Sequence, residues 1–236
     1  MSVAGRAPEV IRTERLVGRR LTAADESLFL AFHRDPRVLS WLGGGDDEIT
    51  EPENREWLDD KLRHWETHGF GLYALFEIGA AAPTGAVAVS SRVEGAGSPD
   101  VGAASQDAGA AVGRLVGRAG IQQVDPDVGE ILGDATAIEL MYALAYDFWS
   151  RGLGTEIAGR LLEVARHDLG RAEIIADTMP HNLRSRRVME GLGFVYEREF
   201  WHDDHTMVLY RRALGAPGGG ERLASEPRGR GRAPTL

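Results

Sequence analysis

Residues Ala137 to Gly170 constrain the chain more than any other stretch: an apolar run, a glycine loop and an amphipathic run follow one another without a break. Ile138, Leu140, Met141, Tyr142, Ala143 and Leu144, interrupted only by Glu139, form a short run that suits a strand covered on both faces. Beyond the loop, Ile157, Ala158, Leu161, Leu162, Ala165 and Leu169 fall on one side of a helix, and Gly170 can cap its end.

Such a junction makes an anion site. Gly152 and Gly154 lack a Cβ, so the backbone can bend sharply and approach a ligand closely. The first N–H groups of the helix have no internal acceptor, and the helix dipole favours negative charge there. A phosphate or pyrophosphate is the expected guest, with Arg151 in the same turn adding a charge-assisted contact. In a chain with 30 glycines a lone G-x-G says little. The strand before it, the helix after it and a second element further on give it weight.

That second element is PHNLRSRRVMEGLGF, Pro180 to Phe194, which follows another apolar run, AEIIAD, at 172–177. Asn182 is a good N-cap, with Ser185 three residues further on. Val188 and Met189 can face inward, and Gly191 can end the helix.

Together W-x-x-G-x-G-T-E (149–156) and N-x-x-S-x-x-V-x-E-x-L-G-F (182–194) resemble the GNAT acetyltransferases, specifically the RimJ/RimL-type ribosomal-protein N-terminal acetyltransferase branch. T-E-R-L-V-x-R-x-L at 13–21 and HGFGLYALFE at 68–77 also look like that branch, so the resemblance covers roughly residues 11–212. It implies a mixed α/β GNAT fold, a twisted, mostly antiparallel central sheet with helices on both faces. It also implies acetyl-CoA as co-substrate and a primary amine as acceptor, with a protein N-terminal α-amine leading. A metabolite or antibiotic amine is the alternative acceptor, and a non-catalytic acyl-CoA-binding regulatory module is the alternative class.

Moving acetyl from a thioester to an amine requires a neutral amine, donors for the developing oxyanion, an acid near the departing thiolate and reactants held in line. The resemblance supplies candidates for each. The pantetheine arm lies along Tyr142, Ala143 and Leu144, and the pyrophosphate on the N–H groups from Trp149 through Ser150, Arg151, Gly152, Leu153 and Gly154 to Thr155. Trp149 contributes mainly backbone, while Asn182 contacts the cofactor arm as well as capping its helix. Ser185 lies where a hydroxyl can reach the sulfur, and Glu139 where a carboxylate can relay a proton through water. Glu199 is a weaker base candidate.

Composition sets limits on these readings. The 236 residues, 43% hydrophobic and 27% charged, are ordinary for a globular chain long enough for one good core. With no cysteine, disulfides, thiolate nucleophiles and cysteine zinc sites are excluded. No apolar run is long enough to span a membrane and no secretory pattern opens the chain, so cytoplasm is the expected location. A net charge of −9 argues against nucleic-acid binding by the folded domain, and a monomer or homodimer is expected. His202-x-x-His205 has no third ligand in view and reads as an exposed turn, so no metal is expected. Phosphate-loop, nucleophile-elbow and H-E-x-x-H motifs do not occur.

Taken in order, 1–9 reads as a flexible start and 10–212 as the GNAT domain, with a single first strand over 10–21. A helix runs from 23 to about 33 and stops at Asp35-Pro36. WLGGGDD at 41–47 is a flexible turn. Thr50-Glu51-Pro52-Glu53 is a strong helix start for a helix that carries Trp57, Leu58, Leu62 and Trp65 inward and ends at Gly69. Gly71–Ile78 is a strand with 83–90 as its hairpin partner, followed by a low-complexity insertion over about 91–112. Arg114–Val124 is a weak strand, and Asp125-Pro126-Asp127 a turn. Strands at 196–201 and 206–211 precede a disordered Gly-, Pro- and Arg-rich tail, 213–236.

Overall fold

The computed structural model describes residues 5–42, 48–78, 112–202 and 204–215. The segment expected as one opening strand folds back on itself. Val10–Arg12 (β1) pairs antiparallel with Leu16–Arg20 (β2), and Thr13 closes the turn by donating its amide to Leu16 O and accepting the Leu16 amide on its hydroxyl. A period-2 pattern carries no mark of this reversal, because Ile11 of β1 and Leu16 and Val17 of β2 are all buried apolar strand residues.

Six more strands complete the sheet: β3 (Leu72–Ile78), β4 (Val112–Gln123), β5 (Ile138–Leu144), β6 (Glu173–Thr178), β7 (Val195–His202) and β8 (His205–Ala213). Their order is β1-β2-β3-β4-β5-β6-β8-β7, and every pairing is antiparallel except β5 with β6. The mixed, mostly antiparallel sheet expected from the resemblance is therefore present.

Among the described residues, six α-helices cover it: α1 (Glu26–His33), α2 (Pro36–Leu39), α3 (Glu51–His68), α4 (Pro126–Leu132), α5 (Leu153–Glu163) and α6 (Leu183–Gly191). The start of α3 is the capping box that the sequence promises. The Thr50 amide donates to Glu53 Oε2 at 2.8 Å, the Glu53 amide returns to Thr50 Oγ1, and Gly69 ends the helix at φ 73°. Asp125-Pro126-Asp127, read as a turn, instead opens α4 with Asp125 at the N-cap and Pro126 in the first turn. α6 is ended by Gly193 at φ 80°, not by Gly191.

Register sorts the side chains of β5 onto two faces. Ile138, Leu140, Tyr142 and Leu144 join the core beneath α5 and α6, with Tyr73, Leu75 and Ile121 beside them. Met141 and Ala143 join the core beneath α1, α2 and α3, built on Phe29, Val38, Leu58, Leu72 and Phe76. Glu139 alternates onto that second face, in register with Gln122 of β4. The two apolar layers hold β5 as a fixed central rail.

β5 stays in register with β4 along its whole length but shares a single register pair with β6, Glu139 with Ile175. Beyond that pair the two parallel strands diverge. The β6-side edge of β5 from Leu140 to Leu144 is left facing a cleft.

Both ends of the domain extend further than expected. Ala7, placed in the flexible start, is 4% exposed and donates its amide to Gly69 O. Ala213 belongs to β8, and Leu214 is buried with its amide on Ala172 O, so the fold runs two residues past the expected boundary at 212. Both edges of β3 are paired, with β2 and β4, and the stretch expected as its hairpin partner is 83–90. That stretch, residues 43–47, the insertion up to residue 111 and the tail from residue 216 lie outside the described residues. Val112 is already the first residue of β4.

Candidate active site

A cavity of roughly 310 Å³ opens where β5 and β6 part. Its floor is β5 from Glu139 to Leu144, one wall is the loop and first turn of α5 with the start of α6, and the other includes Val38, Trp41 and Leu42. Glu139 and Ser185, the two expected catalytic residues, line the same cavity from opposite faces of the sheet.

The face toward α5 and α6 is built from the strand, glycine loop and helix of Ala137 to Gly170. Ser150 at φ 59° and Gly152 at φ 76° turn the chain sharply out of the strand, and Gly152 becomes the N-cap of α5. Leu153, Gly154 and Thr155 are the first three residues of α5, so their N–H groups have no intrahelical acceptor. Gly154 has a second role. A Cβ there would lie 3.2 Å from Cε2 of Tyr142, so its hydrogen lets the Tyr142 ring pack against the helix start. The cradle fits a phosphate-bearing chain.

Not every amide expected from Trp149 to Thr155 is free. Trp149 donates its amide to Tyr146 O at 3.0 Å and its indole to Leu144 O at 2.7 Å, so it ties the loop to the end of β5. Arg151 is exposed and turned to Glu77, at 3.1 Å, while its carbonyl accepts from Arg15. Two cations missed in the sequence flank the loop. Arg15, paired with Glu156 at 2.6 Å, comes within 3.5 Å of where a Gly152 Cβ would sit, and Arg184 lies over the Trp149 ring at 5.2 Å. Arg15 reaches the loop only through the sheet, so no local pattern could have marked it.

Tyr142 and Ser185 meet: Tyr142 Oη and Ser185 Oγ are 3.2 Å apart. Burial pushes the phenol up, and the Ser185 contact opposes that in part. Asn182 performs the capping predicted for it, accepting the Ser185 amide at 3.1 Å, while its own amide group donates to Thr178 Oγ1 at 3.0 Å. Ala143 points its methyl to the opposite core, leaving backbone as its contribution on this side.

The other face carries charge. Glu139 is raised well above the usual carboxylate range, first by burial, then by the negative charges of Asp177 and Asp125, with Lys61 of α3 opposing. Asp177, two residues along β6 from the partner of Glu139, also lines the cavity and is pushed up to about 6. Burial is again the main cause, with His202 pulling it down and Asp125 pushing it up. Asp177 was missed because AEIIAD reads simply as the end of a strand. Glu199 is an exposed residue of β7 and does not line the cavity. Among the described residues no group of three or more His, Asp or Glu side chains could hold a metal ion, and no helix is long and apolar enough to cross a membrane.

Comparison with known proteins agrees with this architecture. The family model described as the acetyltransferase (GNAT) domain matches residues 15–195. The solved acetyltransferase from Agrobacterium tumefaciens strain C58 is similar with a TM-score of 0.60 at 21% identity, over 90% of this chain and 98% of that one. RimL, a ribosomal alpha-N-protein acetyltransferase solved in complex with coenzyme A, is similar with a TM-score of 0.58 at 13% identity, over 87% and 98%. At such identities these likenesses show the shared fold. A curated protein of Aspergillus fumigatus, FsC-acetyl coenzyme A-N(2)-transacetylase, is 34% identical over 68 residues, and the match spans 29% of each chain. With one family model running from β2 into β7 across the whole cleft, the chain belongs to the GNAT acetyltransferases, enzymes whose acetyl donor is acetyl-CoA.

Proposed function

We propose that this chain, acting through a catalytic domain of about residues 5–215, N-acetylates a primary amine, with a protein N-terminal α-amine as the leading acceptor. The observation that carries the reading is the pairing of two kinds of wall around one cleft. The open edge of β5 and the free amides at the start of α5 lie on one side, and the carboxylates of Glu139 and Asp177 lie on the other. Acetyl-CoA brings an activated acetyl thioester to that cleft. Its phosphates are held by the amides of Leu153, Gly154 and Thr155 with Arg15 and Arg184 nearby, and its arm by the backbone of Tyr142 to Leu144. Trp149, Arg151 and Asn182 frame the binding surface.

The chain's own groups then divide the proton work. Glu139, kept basic enough by burial and by Asp177, accepts the proton of an incoming ammonium directly or through water. The Tyr142 hydroxyl, steered by Ser185, holds a proton at the other end of the cleft. An α-amine, with a reference pKa of roughly 7.7–8.0, is matched to such a base near neutral pH. The RimL likeness supports a protein N-terminus, and the name of the Aspergillus protein, which places acetyl on a nitrogen, supports a small-molecule amine as second reading. The proposal places the enzyme in the cytoplasm, where acetyl-CoA and newly made N-termini meet.

The test is to incubate the protein with isotopically labelled acetyl-CoA and a cell extract, then sequence labelled products by mass spectrometry. Label on N-terminal peptides is the expected result. Label confined to small amines transfers the conclusion to the second reading. Absence of label, with acetyl-CoA still raising the melting temperature, overturns catalysis in favour of a binding module.

A further inference from the structure

Arg118 stands on β4 between two alanines, Ala74 of β3 and Ala143 of β5. Neither neighbour reaches beyond its Cβ, so the guanidinium rises from a low floor into the cleft, beside Val38 and Leu42 of the opposite wall. One contact fixes it there: the Trp57 ring, 4.7 Å away. Among the described residues no hydrogen bond or ion pair to Arg118 is formed, and burial is the sole influence on its pKa, drawing it down to about 10. It remains charged at neutral pH.

Arg19 shows how this chain ordinarily treats a buried guanidinium. Two of its nitrogens meet the two carboxylate oxygens of Asp25 at 2.6 and 2.8 Å. A guanidinium carries five donors in a fixed fork matched to a carboxylate. Withdrawing that fork from water without an acceptor is costly. At Arg118 the cation–π contact occupies a face of the group and leaves the fork unmatched, and the fork borders a ligand-sized cavity.

We propose that Arg118 binds an acid group of the acceptor, so that the substrate class is an amine with a carboxylate close to it. This rests on the amine-acetylation reading and narrows it. The opposite end of the same face holds Glu139 and Asp177, which suit an ammonium, so the cleft is polarised to match such a substrate. Ala143, beside Arg118, and Glu139 are four positions apart on β5, on the order of 13 Å. Side chains on one face of a sheet rise side by side, so a substrate that hydrogen-bonds both heads spans at most this distance less two contacts of roughly 3 Å, about the length of one or two amino-acid residues. The carboxylate therefore belongs to the residue that bears the amine or to its neighbour: an acidic side chain at a protein N-terminus, or the α-carboxylate of a free amino acid.

Matched probes separate these sources. The full-length protein is assayed with acetyl-CoA and glutamyl-alanine amide against glutaminyl-alanine amide, then alanine against alanine amide. We expect the acid member of one pair to be favoured roughly 30-fold or more in kcat/KM, the scale of a desolvated charge pair. The peptide pair responding identifies an acidic N-terminal residue, and the alanine pair a free amino acid. Arg118→Gln removes the gap, and Arg118→Lys, which keeps the charge but not the fork, restores part of it. Equal kcat/KM within both pairs overturns the proposal. If no amine is turned over, the acetylation reading fails by itself, and calorimetry with the same probes and CoA decides Arg118 separately. Acid-selective binding that Arg118→Gln abolishes supports the assignment, whereas binding that is equal or absent within each pair overturns it.

Discussion

β5 presents two unlike faces to one cleft. Toward α5 and α6 it shows Leu140, Tyr142 and Leu144, and the surroundings are apolar or backbone: Gly152, Gly154, the first amides of α5 and the Tyr142–Ser185 contact. Toward α1, α2 and α3 it shows Glu139, with Gln122, Asp177 and Arg118 on neighbouring strands. The first face is nearly continuous in sequence, and the second is assembled from β4, β5 and β6 with helices laid over it. A cofactor common to a whole family can be held by a local motif. An acceptor that differs between members is met by side chains that only the fold brings together.

Glu139→Gln tests the division most severely. Removing a general base should lower kcat by about 10²–10⁴, while the dissociation constant for acetyl-CoA, measured by calorimetry, stays within a few-fold of wild type. Equal loss in both would mean that the two faces are not separable.

Gly154→Trp strikes the other face. A Cβ there already lies 3.2 Å from Tyr142, so the indole must displace that ring or close the cradle. Overpacking of this kind costs on the order of 1–3 kcal/mol, roughly 5- to 150-fold in acetyl-CoA affinity if it falls on binding. Unchanged affinity in a variant that melts like wild type would remove the phosphate cradle from the site.

What could be read from the sequence follows the same division. Strand, loop and helix at 137–170 were legible because a buried strand and an amphipathic helix have different periods and glycines punctuate the join. Asn182 and Ser185 were legible because capping is a local event. Asp177, Arg118, Arg15 and Arg184 were not, since each matters through what lies across the sheet or the loop from it. The reversal at Thr13 and the helix at Pro126 were missed for a related reason: a tight turn and a short helix use the same residue types, and tertiary packing chooses between them.

Asp177→Asn probes how the charged face is tuned. Its negative charge helps raise Glu139, so the variant should move the acid limb of the kcat/KM profile to lower pH. Stability responds too. The Asp177 carboxyl titrates near 3.8 in the unfolded chain and near 6 in the folded one, so the native state holds more protons between those values. The penalty is absent below the lower value and fully developed above the higher one. The variant should therefore gain stability over wild type at pH 8, on the order of 3 kcal/mol, and lose that advantage near pH 3. Thermal melts at the two pH values check the sign.

Ser185→Ala should have the smallest effect, and its size discriminates between two acids. The Ser185 amide would still reach Asn182, so the α6 cap survives, and only the hydroxyl contact to Tyr142 at 3.2 Å is lost. A single hydrogen bond has a net worth of about 1 kcal/mol, so kcat should fall only about fivefold if Tyr142 carries the proton. The phenol, no longer held down by Ser185, should titrate higher by ultraviolet difference spectroscopy. If Ser185 itself is the acid, the loss should approach the roughly 100-fold floor of general acid catalysis, with Tyr142→Phe nearly silent. In that case the reacting group on this face would sit on α6 and not on β5, and the β5 strand would supply the base alone.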